Sequence, residues 1–154
     1  MGCGRRSVSG MSNETFEPRF PISPKLETDG LLYFSRMCDK IRLHEAGALP
    51  EDYHANLGKA MDAWTCRYLG VDYEELRAEV RGGADDRAVL QWARAVGEPR
   101  DDFETEIFNR YLSIRGFRDD LAERLKQRKE EAGWAGRDEI QTFFDFIEAD
   151  EGRA

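Results

Sequence analysis

The chain has 154 residues, 40% hydrophobic and 35% charged, and its 31 Asp plus Glu against 23 Lys plus Arg give a net charge of −8. That length suits one domain around one core, and so acidic a surface repels phosphate backbones, which argues against nucleic acid and anionic membranes as partners. Three cysteines, Cys3, Cys38 and Cys66, imply no disulfide framework and suit a reducing cytosol, and no apolar run reaches the ~18 residues of a membrane span.

Residues 1–15 read as a disordered tail, with Met11 as an alternative start. Three motifs in it each fail on a residue. Gly2 lacks the Ser or Thr that myristoylation needs where Arg6 stands. No apolar stretch follows Arg5-Arg6 as a leader requires, and Asn13-Glu14-Thr15 is a glycosylation triplet only in a secreted chain. From Phe16 to Leu26, Pro18, Pro21 and Pro24 recur every third residue. Polyproline II has three residues per turn, so they share one edge of an extended arm, with Phe16, Phe20 and Ile22 facing elsewhere. The arm is expected to lie across the body; a Pro21-x-x-Pro24 ligand for SH3-like domains is the alternative.

The pattern turns helical after Gly30. Leu31, Phe34, Cys38 and Ile41 follow the i, i+3, i+4, i+7 spacing of an amphipathic helix that ends near Gly47. A second helix presents Ala60, Met61, Trp64, Thr65, Tyr68 and Leu69 on one face and stops at Gly70. Asp72 with Glu75 is a capping box for a third, to about Val80. Gly82-Gly83 breaks it, and Asp85 or Asp86 caps a fourth with the stripe Val89, Trp92, Ala93, Val96, ending at Gly97. Pro99 and the acids Asp101, Asp102 and Glu104 open a fifth, whose buried face is expected to be Phe103, Ile107, Phe108, Tyr111 and Leu112, closed by Gly116. A sixth, from about Asp119 to Ala132, has only Leu121, Ala122 and Leu125 as apolar contacts and reads as a solvated outer helix. A seventh runs from Asp138 to about Ala149 on Ile140, Phe143, Phe144 and Ile147. No alternating strand segment appears. The expectation is an all-α, single-domain orthogonal bundle of six to seven helices over residues 16–152, with cationic side chains outside and an extended Pro-containing N-terminal arm.

Imidazole is both metal ligand and proton shuttle, yet His44 and His54 belong to no ligand-spaced motif, and paired Cys or His at short intervals are absent. No metal and no cofactor are expected. A more coherent polar face lies on the first helix, where Tyr33, Arg36, Lys40 and His44 stack on one side. Two cations, an imidazole and a phenol make a candidate pocket for a carboxylate or phosphate; a solvated face with salt bridges is the plainer alternative. The loop 49–58 adds Tyr53, His54 and Asn56, of which Asn56 could simply cap the second helix. Arg115 and Asn109 lie near aromatic surface. Arg67 projects about 100° away from Cys66 around the helix, so Cys38 and Cys66 read as small core hydrophobes. No nucleophile elbow, phosphate-binding glycine loop or dinucleotide fingerprint occurs. The third and fourth helices imitate a helix-turn-helix, but Asp85-Asp86 stands at the end that would meet phosphates.

Met37-x-Asp39-Lys40-x-Arg42, Ala46-Gly47-x-Leu49, Asp52-Tyr53-His54, Tyr68-Leu69-Gly70-Val71 and Gly83-Ala84-Asp85-Asp86-x-x-Val89-Leu90-x-Trp92 together resemble the bacterial domain of unknown function numbered 5069. The resemblance runs from about Pro21 to Arg153 and implies a small helical protein, with no activity or functional residue to carry over. The leading expectation is a cytoplasmic binding or interaction module for a small anionic ligand or a partner protein. Its residues would be Tyr33, Arg36, Lys40, His44, Tyr53, His54, Asn56 and Arg115. The alternatives are a small enzyme with His54 as general base, possible metal assistance included, and an oligomeric scaffold docking through the Pro arm and the acidic segment Asp145 to Glu151.

Overall fold

In a computed structural model describing residues 17–154, the chain folds into seven α-helices, a short 3-10 helix and one two-stranded hairpin. The tail through residue 15, its three motifs, Cys3 and Phe16 lie outside the described residues. The arm crosses the body as expected. Arg19 holds Asp39 through two hydrogen bonds of 2.8 and 2.9 Å, the Ile22 amide donates to the same carboxylate at 3.0 Å, and Pro21 and Pro24 are buried.

The hairpin corrects the strand-free reading. β1 (Glu27–Thr28) pairs antiparallel with β2 (Leu31–Leu32) around Asp29-Gly30, whose φ values of 46° and 84° are those a primed two-residue turn demands. Asp-Gly is the signal that could have revealed it. The Asn109 side chain extends the ladder, donating to the Gly30 carbonyl at 2.7 Å and accepting the Leu32 amide at 3.0 Å. The first helix, α1 (Phe34–Glu45), therefore starts only after Tyr33, itself at φ 71°.

α1 is the central rod. Every residue from Phe34 to Ile41 is buried, Arg36, Asp39 and Lys40 included, which overturns the expectation that the cations of this helix lie outside. Phe34, Met37, Cys38 and Ile41 pack with Leu69, Leu76, Val89, Leu90, Leu112 and Phe144 into the main core. A 3-10 helix (Glu51–Asn56) leads to α2 (Met61–Leu69), α3 (Tyr73–Arg81), α4 (Asp86–Val96), α5 (Asp102–Ser113), α6 (Ala122–Glu131) and α7 (Phe143–Asp150). Asp72, Asp85, Asp101 and Thr142 cap α3, α4, α5 and α7, and at α5 Glu104 completes a reciprocal capping box. Thr142 also explains why α7 begins later than its apolar spacing suggests, leaving Ile140 buried ahead of it. α6 buries Leu125 alone and is the solvated outer helix expected.

Two faces differ from the reading. On α2 the buried residues are Asp62, Thr65, Cys66 and Leu69, so the inward stripe is rotated from the expected one and carries a carboxylate. On α5 only Leu112 is fully buried and Phe108 half-buried, whereas Phe103, Ile107 and Tyr111 are exposed. α5 meets the hairpin through Asn109 and the core through Leu112, three residues on and on the same side, which leaves its other side facing out.

At the end of α4, Gly97 lets two backbones touch. The Glu98 amide donates to the Leu69 carbonyl at 2.9 Å, and a Cβ on Gly97 would stand 2.0 Å from that carbonyl oxygen and 2.8 Å from that of Ala93. The Leu69 oxygen can yield only by moving α2 off the end of α4, and the Ala93 oxygen only by opening the last turn of α4. Gly97→Ala is expected to cost about 3 kcal/mol in urea unfolding, near the upper end for overpacking. Gly136→Ala, with nothing within 4 Å of its Cβ, should change stability by less than ~0.5 kcal/mol.

Candidate functional site

A cavity of about 380 Å³ opens where the N-terminal half of α1, the 3-10 helix, the start of α2, α6 and α7 meet. Arg36 and Lys40 reach it from α1 and Tyr33 from the cap position just before it, one or two turns apart along one side. Tyr53 and Asn56 line it from the 3-10 helix, in which residues three apart eclipse one another. That geometry turns His54 away. Asn56 does not cap α2; that role falls to Ala60, at φ 52° and without a side-chain cap bond. Tyr33 and Ala60 are both non-glycine residues held in the left-handed region, and both border the cavity. Strained backbone of this kind gathers at functional sites.

The polar floor consists of two buried ion pairs. The Arg36 guanidinium grips Glu151 through two hydrogen bonds of 2.8 and 2.7 Å, with side-chain exposures of 4% and 2%. Tyr53 Oη donates to the same carboxylate at 2.5 Å, and Arg153 reaches it from outside while also holding Glu148 at 2.7 Å. Burial pushes the Glu151 carboxyl up, but the Arg36 hydrogen bonds and charge, with Tyr53 and Arg153, outweigh it and hold it below its ordinary range. Burial and the same carboxylate push the Tyr53 phenol up. In the second pair, Asp62 is 0% exposed and accepts Tyr33 Oη at 2.6 Å, Lys40 Nζ at 2.9 Å and the Gly58 amide at 3.0 Å. Lys40 also donates to Tyr33 Oη at 3.0 Å, and burial, then the Asp62 charge, push that phenol far up.

Arg36 and Lys40 are thus neutralised inside the protein, which corrects their expected role as the charge of an anion site. The charge comes from elsewhere. Lys59 and Arg124 are exposed at the rim and Arg128 lies half-buried over the Phe146 ring at 5.1 Å. None of the three makes an ion pair among the described residues. With Trp64, Phe143 and Phe146, they give the cavity an aromatic wall and a cationic lip, and Asp52 and Asp150 stand on the acidic side.

Three predicted residues lie outside it. His44 and His54 meet edge to face with ring centroids 4.9 Å apart; His44 Nδ1 lies 3.3 Å from Arg77 Nη2 and His54 Nε2 lies 3.0 Å from the Leu49 carbonyl. Among the described residues no group of three or more His, Cys, Asp or Glu is arranged to hold a metal ion. Arg115 stands behind Trp64, 5.1 Å from its ring and 4.9 Å from that of Tyr111, and is held by Asp119 at 3.2 Å and Asp120 at 2.9 Å. The arm touches the acidic segment Asp145 to Glu151 and the residues after it within this chain: Ser23 donates to Glu148 at 3.1 Å and Arg153 to the Pro21 carbonyl at 3.3 Å. Among the described residues no helix is long and apolar enough to cross a membrane.

Sequence reasoning missed Asp62, Glu151, Lys59, Arg124 and Arg128. Asp62 had a signal: it falls on the i, i+3, i+4, i+7 row with Thr65, Cys66 and Leu69. Glu151 lies more than a hundred residues from Arg36 and had none.

The model of the family described as Domain of unknown function (DUF5069) matches residues 18–153, and the chain belongs to that family. No curated protein matches the chain.

Proposed function

Starting from a family whose description assigns no activity, we propose that this protein binds a small anionic ligand with a flat apolar body in the cavity beside α1 and the 3-10 helix. One observation carries the reading. Lys59, Arg124 and Arg128, without carboxylate partners among the described residues, ring an aromatic-walled concavity in a chain of net charge −8. Unpaired cations gathered at one lip supply charge-assisted hydrogen bonds, while Trp64, Phe143 and Phe146 supply apolar and stacking area. Tyr33, Arg36, Lys40 and Tyr53 act as the rigid floor. The cytoplasm is the compartment this reading favours, since Cys38 and Cys66 are buried free thiols of the kind a reducing compartment maintains.

Thermal unfolding tests it with phenyl phosphate, benzoate and inorganic phosphate, against uncharged phenol as control. A ligand at ~100 times its Kd adds about 2.7 kcal/mol, which moves Tm by several degrees in a chain of this size. The combined variant Lys59→Ala with Arg124→Ala, both exposed and therefore compatible with folding, should abolish the shift. A shift equally large with phenol, or one untouched in that variant, would overturn the reading.

A further inference from the structure

α5 carries an apolar face that no other described residue covers. Phe103, Ile107, Tyr111 and Ile114 are 68%, 54%, 43% and 40% exposed. At 100° per residue Phe103 and Ile107 fall roughly opposite the buried Leu112, the helix-ending Ile114 beside them, and Tyr111 flanks the stripe at about 100° from Leu112. Phe117, 41% exposed, continues the patch beyond the helix end. Beside it, a groove of about 570 Å³ between α2 and α5 is lined by Tyr68, Phe108, Ile107 and Tyr111, with the Tyr68 and Phe108 rings stacked at 4.3 Å. A contiguous exposed apolar surface of this kind marks an interaction site.

The charges on the stripe say what covers it. Its N-terminal half bears Asp102 and Glu106, and its C-terminal side bears Arg110 and Arg118. None of these four makes an ion pair among the described residues, although Glu106 and Arg110 stand four apart, the spacing at which helical pairs ordinarily form. A surface acidic at one end, basic at the other and apolar between complements itself when reversed. We infer that two copies of this chain associate through α5 packed antiparallel on α5 about a twofold axis near Phe108. The axis sets Glu106 of each copy against Arg110 of the other, twice over, with Ile107 and Tyr111 at the centre and Phe103 opposite Ile114. An isologous interface requires this reciprocity. Parallel packing would set acid against acid. One helix face of about 18 Å buries less than the ~800 Å² per partner of a standard interface, so the dimer is weak and concentration-dependent.

Sedimentation equilibrium on the full chain over a wide concentration range, without added ligand and at ~0.15 M salt to screen the repulsion between two acidic chains, is expected to show a monomer–dimer equilibrium. Ile107→Glu should raise the dimer Kd by roughly tenfold or more. Glu106→Arg alone should weaken association comparably by setting like charges together, and adding Arg110→Glu to it should restore the wild-type Kd. All these positions are exposed, so unchanged Tm values verify the folds. A wild type that stays monomeric at every concentration overturns the inference. So does a dimer indifferent to Ile107→Glu, or one that the double charge reversal fails to restore.

Discussion

Arg36→Ala should destabilise the protein by about 3–5 kcal/mol in urea unfolding, because it strands the Glu151 carboxylate in a site where its side chain is 2% exposed. Two opposing terms decide the size. Taking both ions out of water costs several kcal/mol each, and their mutual attraction offsets that only while both are present. Tyr53 and Arg153 still donate to the carboxylate in the variant, but neither replaces a bidentate guanidinium. The Ile22 carbonyl also loses its donor at 3.1 Å, so the arm should become more accessible to protease. Replacing both partners by apolar residues of similar volume, Arg36→Met with Glu151→Leu, should cost far less than Arg36→Ala, because no charge is left behind. Acid should act as the single variant does. The Glu151 carboxyl is held below its ordinary value of 4.5, so its contribution is complete above that value and is lost as pH falls through the depressed one. Stability measured from pH 7 downward should therefore decline less in Glu151→Gln than in the wild type, and identical pH profiles would contradict this account of the pair.

The helices were legible in the sequence because their signals are local. Apolar spacing and the acidic caps Asp72, Asp85 and Asp101 mark most boundaries within a few residues, and Gly70 and Gly97 mark ends where the chain turns sharply. The hairpin escaped because two-residue strands leave no alternation to read, only the Asp29-Gly30 pair. The site was legible in part. The spacing of Tyr33, Arg36 and Lys40 places them along one side, and Tyr53 and Asn56 share the cavity with them. Helical spacing says which residues stand together but not which side faces in. Asp62 and Glu151 decide that, and both meet α1 only through tertiary folding. His44 follows the same spacing yet lies one turn past the cavity's end, and the three-residue period of the 3-10 helix separates His54 from Tyr53. Periodicity likewise misplaced α5: an apolar stripe shows that a surface avoids water, not whether its own chain covers it.

Asp62→Ala should cost about as much as Arg36→Ala, about 3–5 kcal/mol, although only one small side chain is removed. Asp62 is fully buried and serves three donors at once, so its loss leaves the Lys40 ammonium, the Tyr33 hydroxyl and the Gly58 amide without their acceptor. The ammonium dominates, since each neutral group left unsatisfied costs only about 1–3 kcal/mol. Tyr33→Phe isolates the smaller part: it deletes the hydroxyl between Lys40 and Asp62 but keeps the ion pair at 2.9 Å, and should cost about 1 kcal/mol. Lys40→Met, which leaves Asp62 buried against two neutral donors, should fall close to Asp62→Ala. The combination Lys40→Met with Asp62→Leu should recover most of the loss. The non-additivity of that double-mutant cycle measures the coupling between the two charges. If Tyr33→Phe instead cost as much as Asp62→Ala, with Lys40→Met nearly silent, the phenol rather than the ion pair would hold the cavity floor together.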